Sequence, residues 1–268
     1  MKKKHGQMSE AFLTAALLSA SGGLQDAYTY IARGQVFANA QTGNIVLLSQ
    51  NIFLGQWGRA AHYLVPLLAF GLGVAAAEGI RWRFQKARRV HWRQLVLLVE
   101  ILLLLVVGFF PEQWNVPANA MVSFSCAMQV QAFRKVDGYA FASTMCIGNL
   151  RSGVESLMAG GRTGDRKLLW KAGRYFAVIL LFALGAGAGG LCIGRLGLRT
   201  IWASCILLVL GFLVMFIRED LEENPGIHAA EQAIHRDLQE IGHETAEIVH
   251  DLHRELDQEQ EDIRHPRT

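Results

Sequence analysis

Long runs of apolar residues alternate with short polar stretches over most of this chain. Each run approaches the ~20 residues of helix that cross the ~30 Å hydrocarbon core of a bilayer. A soluble domain of this size rarely needs several such runs. The pattern therefore predicts an all-α membrane protein with about six transmembrane helices, at residues 10–32, 60–80, 94–111, 117–133, 171–194 and 199–217.

Two shorter apolar segments, at residues 37–55 and 140–160, interrupt this series. Each contains a Gly-Asn pair, Gly43-Asn44 or Gly148-Asn149, followed by about ten residues compatible with a helix. At ~1.5 Å per residue such a helix reaches roughly half way across a bilayer. Each segment is therefore predicted to be a broken or re-entrant half-helix.

The chain also repeats its own layout. The step from Asp26 to Asn44 recurs 105 positions later, without a gap, as the step from Gln131 to Asn149. Duplicated membrane proteins commonly bind their cargo where the two halves meet. The predicted organisation is a basic cytoplasmic N-terminus, two membrane repeats and an acidic cytoplasmic tail, at residues 1–9, 10–111, 117–217 and 218–268.

The distribution of Lys and Arg favours six spans over eight, because loops rich in these residues lie on the cytoplasmic side. Such residues concentrate before the first apolar run and in the loops at 81–93 and 162–174. With six spans and two half-helices, all three regions lie inside, and the loop at 112–116, which has no Lys or Arg, lies outside. Each half then has three spans, so the second repeat is inverted relative to the first. Eight spans with parallel repeats are the competing topology.

The tail differs in composition from the rest of the chain. Residues 219–268 carry 15 acidic and 4 basic residues. Isoleucines recur every seven residues at 227, 234, 241 and 248, as in a short coiled coil. This pattern indicates either a homo-oligomer held by the tail or a solvated amphipathic helix, and it leaves the role of the histidines in the tail open.

Polar residues around the first Gly-Asn pair are the first group of candidate solute ligands. An interrupted helix at membrane depth must face protein or a watery cavity, and its N-terminus offers amide donors and partial positive charge to an anionic or carbonyl-bearing ligand. Asp26 is also an acid inside a membrane segment, a position typical of proton or ion pathways. It is equally open to a structural role, as an acceptor for the neighbouring loop. The candidates in this half are Gln25, Asp26, Asn39, Gln41, Thr42, Gly43 and Asn44.

The second half supplies a matching group of candidates. Arg151 adds a full positive charge near the start of the half-helix, although it can pair with Glu155 one helical turn later. The candidates in this half are Gln129, Gln131, Thr144, Gly148, Asn149 and Arg151.

The paired motifs resemble the YoaK family of bacterial membrane proteins. The resemblance covers about residues 10–217 and rests on residues 23–27, Phe37, Thr42-Gly43-Asn44, residues 128–136 and residues 148–152. It implies about six transmembrane helices and a general description as a permease, and it brings no substrate and no catalytic residues. In the second half Ile147 stands where the first half has Thr42, so one copy lacks the hydroxyl.

A secondary transporter or permease for a small polar or anionic solute, in the bacterial inner membrane with both termini cytoplasmic, is the function these features favour. A membrane scaffold or sensor that recruits a partner through its tail is the alternative. No enzyme is expected, because catalytic fingerprints such as a P-loop or HExxH are missing from the sequence. Neither a cofactor nor a metal is expected, and the partners are the lipid bilayer and the solute rather than nucleic acid.

Overall fold

A computed structural model describes residues 12–84, 92–136, 139–140 and 144–223 of the 268-residue chain. Side chains are described within these ranges up to residue 215, apart from residues 135–140. The chain divides into two compact units, 1–216 and 217–268, and only the helical residues 217–223 of the second unit are described. The predicted heptads of the tail therefore lie outside the described residues, as does the basic N-terminus.

The described chain is almost entirely helical. Its α-helices are α1 (Phe12–Ala32), α2 (Gln41–Phe53), α3 (Trp57–Phe84), α4 (Trp92–Val107), α5 (Asn115–Ala132), α6 (Cys146–Thr163), α7 (Arg166–Leu196) and α8 (Ile201–Glu223). Single 3-10 turns at Glu112–Trp114 and Gly197–Thr200 precede α5 and α8. Two strands, β1 (Lys135–Val136) and β2 (Tyr139–Ala140), form a small antiparallel pair before α6.

The end of α1 turns the chain back along the helix. Gly34 and Gln35 have positive φ angles of 89° and 61°. Of these two residues, the glycine adopts such a conformation without steric cost. The Gln35 N–H donates to the Tyr30 carbonyl at 3.0 Å, and the ring of Phe37 stacks on that of Tyr30 at 4.7 Å. Residues 36–40 consequently run beside α1 before α2 begins.

Four helices enclose the main apolar core. Most of its buried residues come from α1, α4, α5 and α8, among them Leu18, Leu97, Val122 and Leu208, and Ala77 of α3 also belongs to it. Helix α1 also packs along α7, and α5 packs along α3. Helix α2 packs on α3, and α6 packs on α7. Helices α1, α4 and α5 are therefore each contacted by another core helix and by an outer helix, α3 or α7.

Glycines permit the close contacts of α1 with α7 and of α5 with α3. A Cβ atom added to Gly23 of α1 would overlap the Phe182 carbonyl of α7, and one added to Gly73 of α3 would overlap the Phe124 carbonyl of α5. Small residues that let helix backbones approach in this way are typical of helix pairs in membranes.

Within the described residues, two helical stretches are long and apolar enough to cross a membrane: Trp57–Phe84, with 28 residues, and Arg166–Met215, with 50 residues that include α7 and most of α8. Only 17% of the most apolar window of each stretch is buried within the protein, unlike the core helix of a soluble domain. Leu72, Leu184 and Leu191 are among the large apolar side chains that stay exposed there. This surface indicates association with a membrane.

The helical class predicted from the apolar runs is confirmed, with differences in the interrupted segments. Helix α2 has 13 residues and is about 20 Å long, but α6 has 18 residues and is about 27 Å long. Helix α6 is therefore longer than the predicted half-helix. The β1–β2 pair was also not predicted from the sequence.

Candidate functional site

Helix α1 is the element around which the candidate site is built. Its consecutive residues from Ser21 to Asp26 are all buried, so this stretch has no face exposed to solvent or lipid. Polar side chains in such a stretch need partners within the protein. At a spacing of four residues, Ser21 and Gln25 lie on one face of α1, and Gly22 and Asp26 lie on the next.

Asp26 holds the loop that precedes α2. Its Oδ1 atom accepts a hydrogen bond from the backbone N–H of Asn39 at 2.7 Å, and its carboxylate also interacts with the backbone at Ala38 and Ala40. The Asn39 side chain donates in turn to the Gly22 carbonyl at 3.2 Å. An acid of the protein itself therefore takes up the amide groups before α2, the groups that an external anion would otherwise contact.

The Asn44 side chain shapes the same loop from the first turn of α2. Its Oδ1 accepts the Phe37 N–H at 3.0 Å, and its Nδ2 donates to the Phe37 carbonyl at 2.7 Å, so the amide pairs with this residue as a neighbouring strand would. Nδ2 also donates to Gln41 Oε1 at 2.9 Å. A Cβ at Gly43 would lie only 3.0 Å from the Phe37 ring. The Gly-Asn pair thus fixes the position of Phe37.

The loop before α6 reaches the same point of α1. Thr144, which stands 105 positions after Asn39, is 7% exposed, and a Cβ added to Gly22 would overlap its methyl group. Within the described part of the protein its hydroxyl has no hydrogen-bond partner. Asn39 and Thr144 therefore bring the two loops together at Gly22, on the face of α1 that carries Asp26.

A second group of polar residues lies on the adjoining face of α1, and we refer to it as the core polar cluster: Ser21, Gln25, Glu100, Cys126 and Ser204. The Ser21 and Ser204 hydroxyls are 2.5 Å apart. Gln25 Nε2 lies 3.0 Å from Ser21 Oγ, 3.1 Å from Ser204 Oγ and 3.3 Å from Glu100 Oε1. Its Oε1 accepts from the Cys126 thiol at 2.8 Å. Gln25 therefore links four helices, α1, α4, α5 and α8.

The two glutamines predicted on α5 lie apart from the loops. Gln129 is buried and its Nε2 donates to the Leu18 carbonyl of α1 at 3.2 Å. Gln131 is partly buried and donates to Glu78 of α3 in a short hydrogen bond. Both side chains join α5 to a neighbouring helix, and their role in solute binding remains a prediction.

The candidates on α6 divide into one buried residue and two exposed ones. Asn149 is 3% exposed, whereas Gly148 and Arg151 lie on the outer face of the helix. Arg151 pairs with Glu155 at 2.9 Å, and the two side chains are 81% and 62% exposed. Thr42, on α2, is likewise exposed. The structure thus brings the loop residues Asn39 and Thr144 to α1, which carries Gln25 and Asp26. It leaves Arg151, Gly148 and Thr42 outside that group.

Arg33 forms a second polar centre at the end of α1. Its side chain is fully buried and its guanidinium donates five hydrogen bonds of 2.8–3.1 Å. The acceptors are the Tyr28 hydroxyl, the carbonyls of Val107, Phe110 and Pro111, and Asn115 Oδ1. The Arg33 carbonyl also accepts from Asn119 of α5 at 2.8 Å. Arg33 therefore ties α1 to the connection between α4 and α5.

Sequence reasoning missed most of the core polar cluster and the role of Arg33. Glu100 stands out in the sequence as an acid in an apolar run, but Ser21, Cys126 and Ser204 are small residues of a kind common in membrane helices. By its position in the sequence, Arg33 belongs to a loop with few charges. The only available signal was the four-residue spacing of Ser21 and Gln25, and many exposed helices show such spacing.

The described residues contain no group of three or more His, Cys, Asp or Glu side chains arranged to hold a metal ion. All four cysteines are free, with Cys126 and Cys205 buried. The chemistry available at the site therefore consists of hydrogen bonding by amides and hydroxyls, together with the two buried carboxyl groups, Asp26 and Glu100.

Comparison with known proteins gives a family without a described activity. Residues 14–214 match DUF1275, whose description is "protein of unknown function". Searches of curated proteins and of solved structures gave no match. The DUF1275 match is consistent with the resemblance to YoaK, a name that no named relative attaches to this chain. The match includes all eight α-helices apart from the first residues of α1 and the last residues of α8, so the chain belongs to the DUF1275 family.

Proposed function

We propose that this protein is a secondary transporter of the bacterial inner membrane that carries a small polar or anionic solute by alternating access between two inverted repeats. The observation that carries the proposal is the meeting of the loops before α2 and α6 at Gly22, within the stretch of α1 that is buried on all sides. Irregular backbone at membrane depth is tolerated where it is enclosed by protein or lines a cavity, and transporters use such places to bind solutes.

The burial pattern of the outer helices supports the duplication. Buried positions of α3 recur 112 residues later as buried positions of α7: Ala60, Pro66, Gly73 and Ala77 correspond to Ala172, Val178, Gly185 and Gly189. This register pairs Gly73 with Gly185, whereas the sequence resemblance between residues 69–73 and 183–187 pairs Gly71 with Gly185. A Cβ added to Gly71 or to Gly187 would meet no atom within 4 Å, so burial favours the spacing of 112.

Two other helix pairs also have buried positions that recur at a constant spacing. Asn44 and Asn51 of α2 correspond, 105 residues later, to the buried Asn149 and Ser156 of α6. Buried positions of α4 recur 104 residues later in α8: Leu97, Glu100 and Leu104 correspond to Ile201, Ser204 and Leu208. Contacts between the halves are also reciprocal: α1 of the first half packs on α7 of the second, and α5 of the second half packs on α3 of the first. A two-fold relation between the halves requires such reciprocal contacts.

The orientation of the repeats depends on which of the helices cross the membrane. If α1, α3, α4, α5, α7 and α8 cross the membrane, each half has three crossings, and the basic regions at 81–93 and 162–174 share the cytoplasmic side with both termini. Three crossings per half make the second repeat inverted. Helices α2 and α6 then enter from opposite sides and begin near the middle of α1.

An asymmetry between the two loops supports the choice of an anionic or carbonyl-bearing solute. Asp26 supplies a carboxylate to the loop before α2, but the corresponding position in the second half is Gln131, a neutral amide that bonds Glu78. The position of the second half that is equivalent to Asp26 therefore carries an uncharged side chain. In the loop before α6, the Thr144 hydroxyl, unpartnered within the described residues, is an available donor for a solute oxygen.

A metabolite screen by thermal shift on the detergent-purified protein, followed by uptake of each hit into proteoliposomes, tests the proposal. A solute present at about 100 times its Kd stabilises the folded state by about 2.7 kcal/mol. We expect at least one small polar or anionic metabolite to raise Tm and to accumulate in the liposomes. A broad screen in which nothing binds and nothing is moved would contradict the proposal.

Thr144→Val provides the matched test of the site. The substitution keeps the methyl group that contacts Gly22 and removes the hydroxyl, so the fold should persist while solute-dependent stabilisation falls. Thr163→Val is the control, because Thr163 is exposed at the far end of α6, where its hydroxyl bonds the Ala159 carbonyl. Undiminished solute binding by Thr144→Val would remove this hydroxyl from the site.

A further inference from the structure

Glu100 is a carboxyl group placed where an ionised form is costly. It is 0% exposed, and its helix α4 is held within the apolar core. Among the described residues, neither salt bridge involves it, and its Oε2 atom has no hydrogen-bond partner. Burying a carboxylate without a cation costs several kcal/mol in lost hydration, and binding a proton removes this cost.

Among the described residues, no cationic side chain pairs with Glu100 and holds it in the ionised form. Cys126 on α5 and Cys205 on α8 are the titratable groups that interact with it, and Asp26 of α1 interacts with Cys126. On α3, Glu78 and Arg81 pair with each other at 3.3 Å. Within the described part of the chain, Glu100 therefore accepts its hydrogen bond from an uncharged donor, Gln25.

The side-chain amide of Gln25 has fewer N–H groups than neighbouring acceptor oxygens. Its hydrogen bonds can therefore change with the charge of Glu100. Nε2 carries two N–H groups and lies within 3.0–3.3 Å of three oxygens, those of Ser21, Ser204 and Glu100. An ionised Glu100 attracts one N–H strongly, because hydrogen bonds to charged acceptors are the stronger ones. A neutral Glu100 releases that N–H to the two serines. The protonation state thus changes how α1 is joined to α4 and α8.

Resting on the transport proposed above, we propose that Glu100 is the proton-binding group that couples transport to a proton gradient, with Gln25 as the residue that passes its state to α1. Binding forms one O–H bond at the carboxyl group with a proton taken from water on one side, and release returns the proton to water on the other side. Gln25 adjoins Asp26, which holds the loop before α2, so the signal reaches the meeting point of the loops within one residue.

Infrared spectroscopy of the reconstituted protein tests proton binding without any solute. We expect a C=O band of a protonated carboxyl group that disappears as the pH is raised, that is lost in Glu100→Gln and that persists in Asp26→Asn. A wild-type protein without this band, or a band that is undiminished in Glu100→Gln, would overturn the assignment.

Ser204→Ala provides a second variant that keeps Glu100 and is expected to fold. Removing one acceptor leaves Gln25 Nε2 free for Glu100, so the midpoint of the band should move down by about half a pH unit, about threefold in proton affinity. An unchanged midpoint would contradict the part assigned to Gln25.

Uptake measurements separate this inference from the proposed function. If the liposomes move no solute while the Glu100 band is present, the transport proposal fails and proton binding stands. If Glu100→Gln moves solute with the wild-type dependence on the proton gradient, the coupling role fails and transport stands.

Discussion

Replacement of Arg33 by Met removes a buried set of hydrogen bonds while keeping a side chain of similar length. Arg33 is fully buried and makes five hydrogen bonds, four of which join α1 to the α4–α5 connection. Arg33→Met is therefore expected to destabilise the protein strongly. The change leaves the five acceptors of the guanidinium without their donor.

The size of the effect follows from the number of bonds. Hydrogen bonds between membrane helices average about 0.6 kcal/mol, so the four bonds from Arg33 to the α4–α5 connection contribute about 2.4 kcal/mol. Bonds to a charged donor are worth about 1.5–3 kcal/mol each in soluble proteins, but losses at one residue do not add fully. We expect a loss of about 3–5 kcal/mol, which lowers Tm by roughly 6–20 °C at about 2–4 °C per kcal/mol.

Thermal unfolding of the detergent-purified variants measures this loss. Arg59→Met is the matched control, because Arg59 is exposed and donates one described side-chain bond, to Gln56 at 3.2 Å. The control is expected to stay within about 0.5 kcal/mol of wild type. Arg33→Lys, whose ammonium has three donors at one point, should fall between the two. If Arg33→Met unfolds at the same temperature as Arg59→Met, the bonds assigned to Arg33 do not stabilise the fold.

Three further predictions concern helix packing, the first loop and topology. Gly73→Val is expected to cost about 1–3 kcal/mol or more because its Cβ meets the backbone of α5, whereas Gly71→Val, in open space, should leave Tm nearly unchanged; equal Tm values would contradict the packing register. Asn44→Leu should lower the free energy of unfolding by about 1–3 kcal/mol, since both backbone groups of Phe37 lose a partner, and a wild-type Tm would separate Asn44 from the shape of the loop. In a background without other reactive cysteines, Trp114→Cys should label from the periplasmic side and Thr163→Cys from the cytoplasmic side, and the reverse pattern would overturn the orientation.

The local pattern of the sequence was sufficient for the helices themselves. The apolar run at 10–32 became α1 at Phe12–Ala32, and the run at 199–217 lies largely within α8 at Ile201–Glu223. Helix formation in an apolar setting depends on residues close together in the chain, because every backbone bond of a helix is made within its own segment. The beginnings of α2 and α6 could likewise be located from the sequence, because a Gly-Asn pair lies in the first turn of each helix.

The spacing between the halves was less well predicted. Sequence similarity aligned the glycine-rich stretches of α3 and α7 at a distance of 114 residues, but their buried positions recur at 112. Glycines look alike in a sequence whether they meet a backbone or open space. Only the packing of α3 on α5 and of α7 on α1 distinguishes them.

What the sequence determined by itself was the set of helices, their apolar character and the presence of two polar loops. Tertiary structure decided that Asp26 serves the first loop and that Gln25 meets Glu100 and Ser204 from helices 75 and 179 residues away. The physical reason is that a polar side chain in a helix can satisfy its hydrogen bonds with any helix that approaches it. Which helix does so depends on close packing across the whole fold, and that information is spread over residues far apart in the chain.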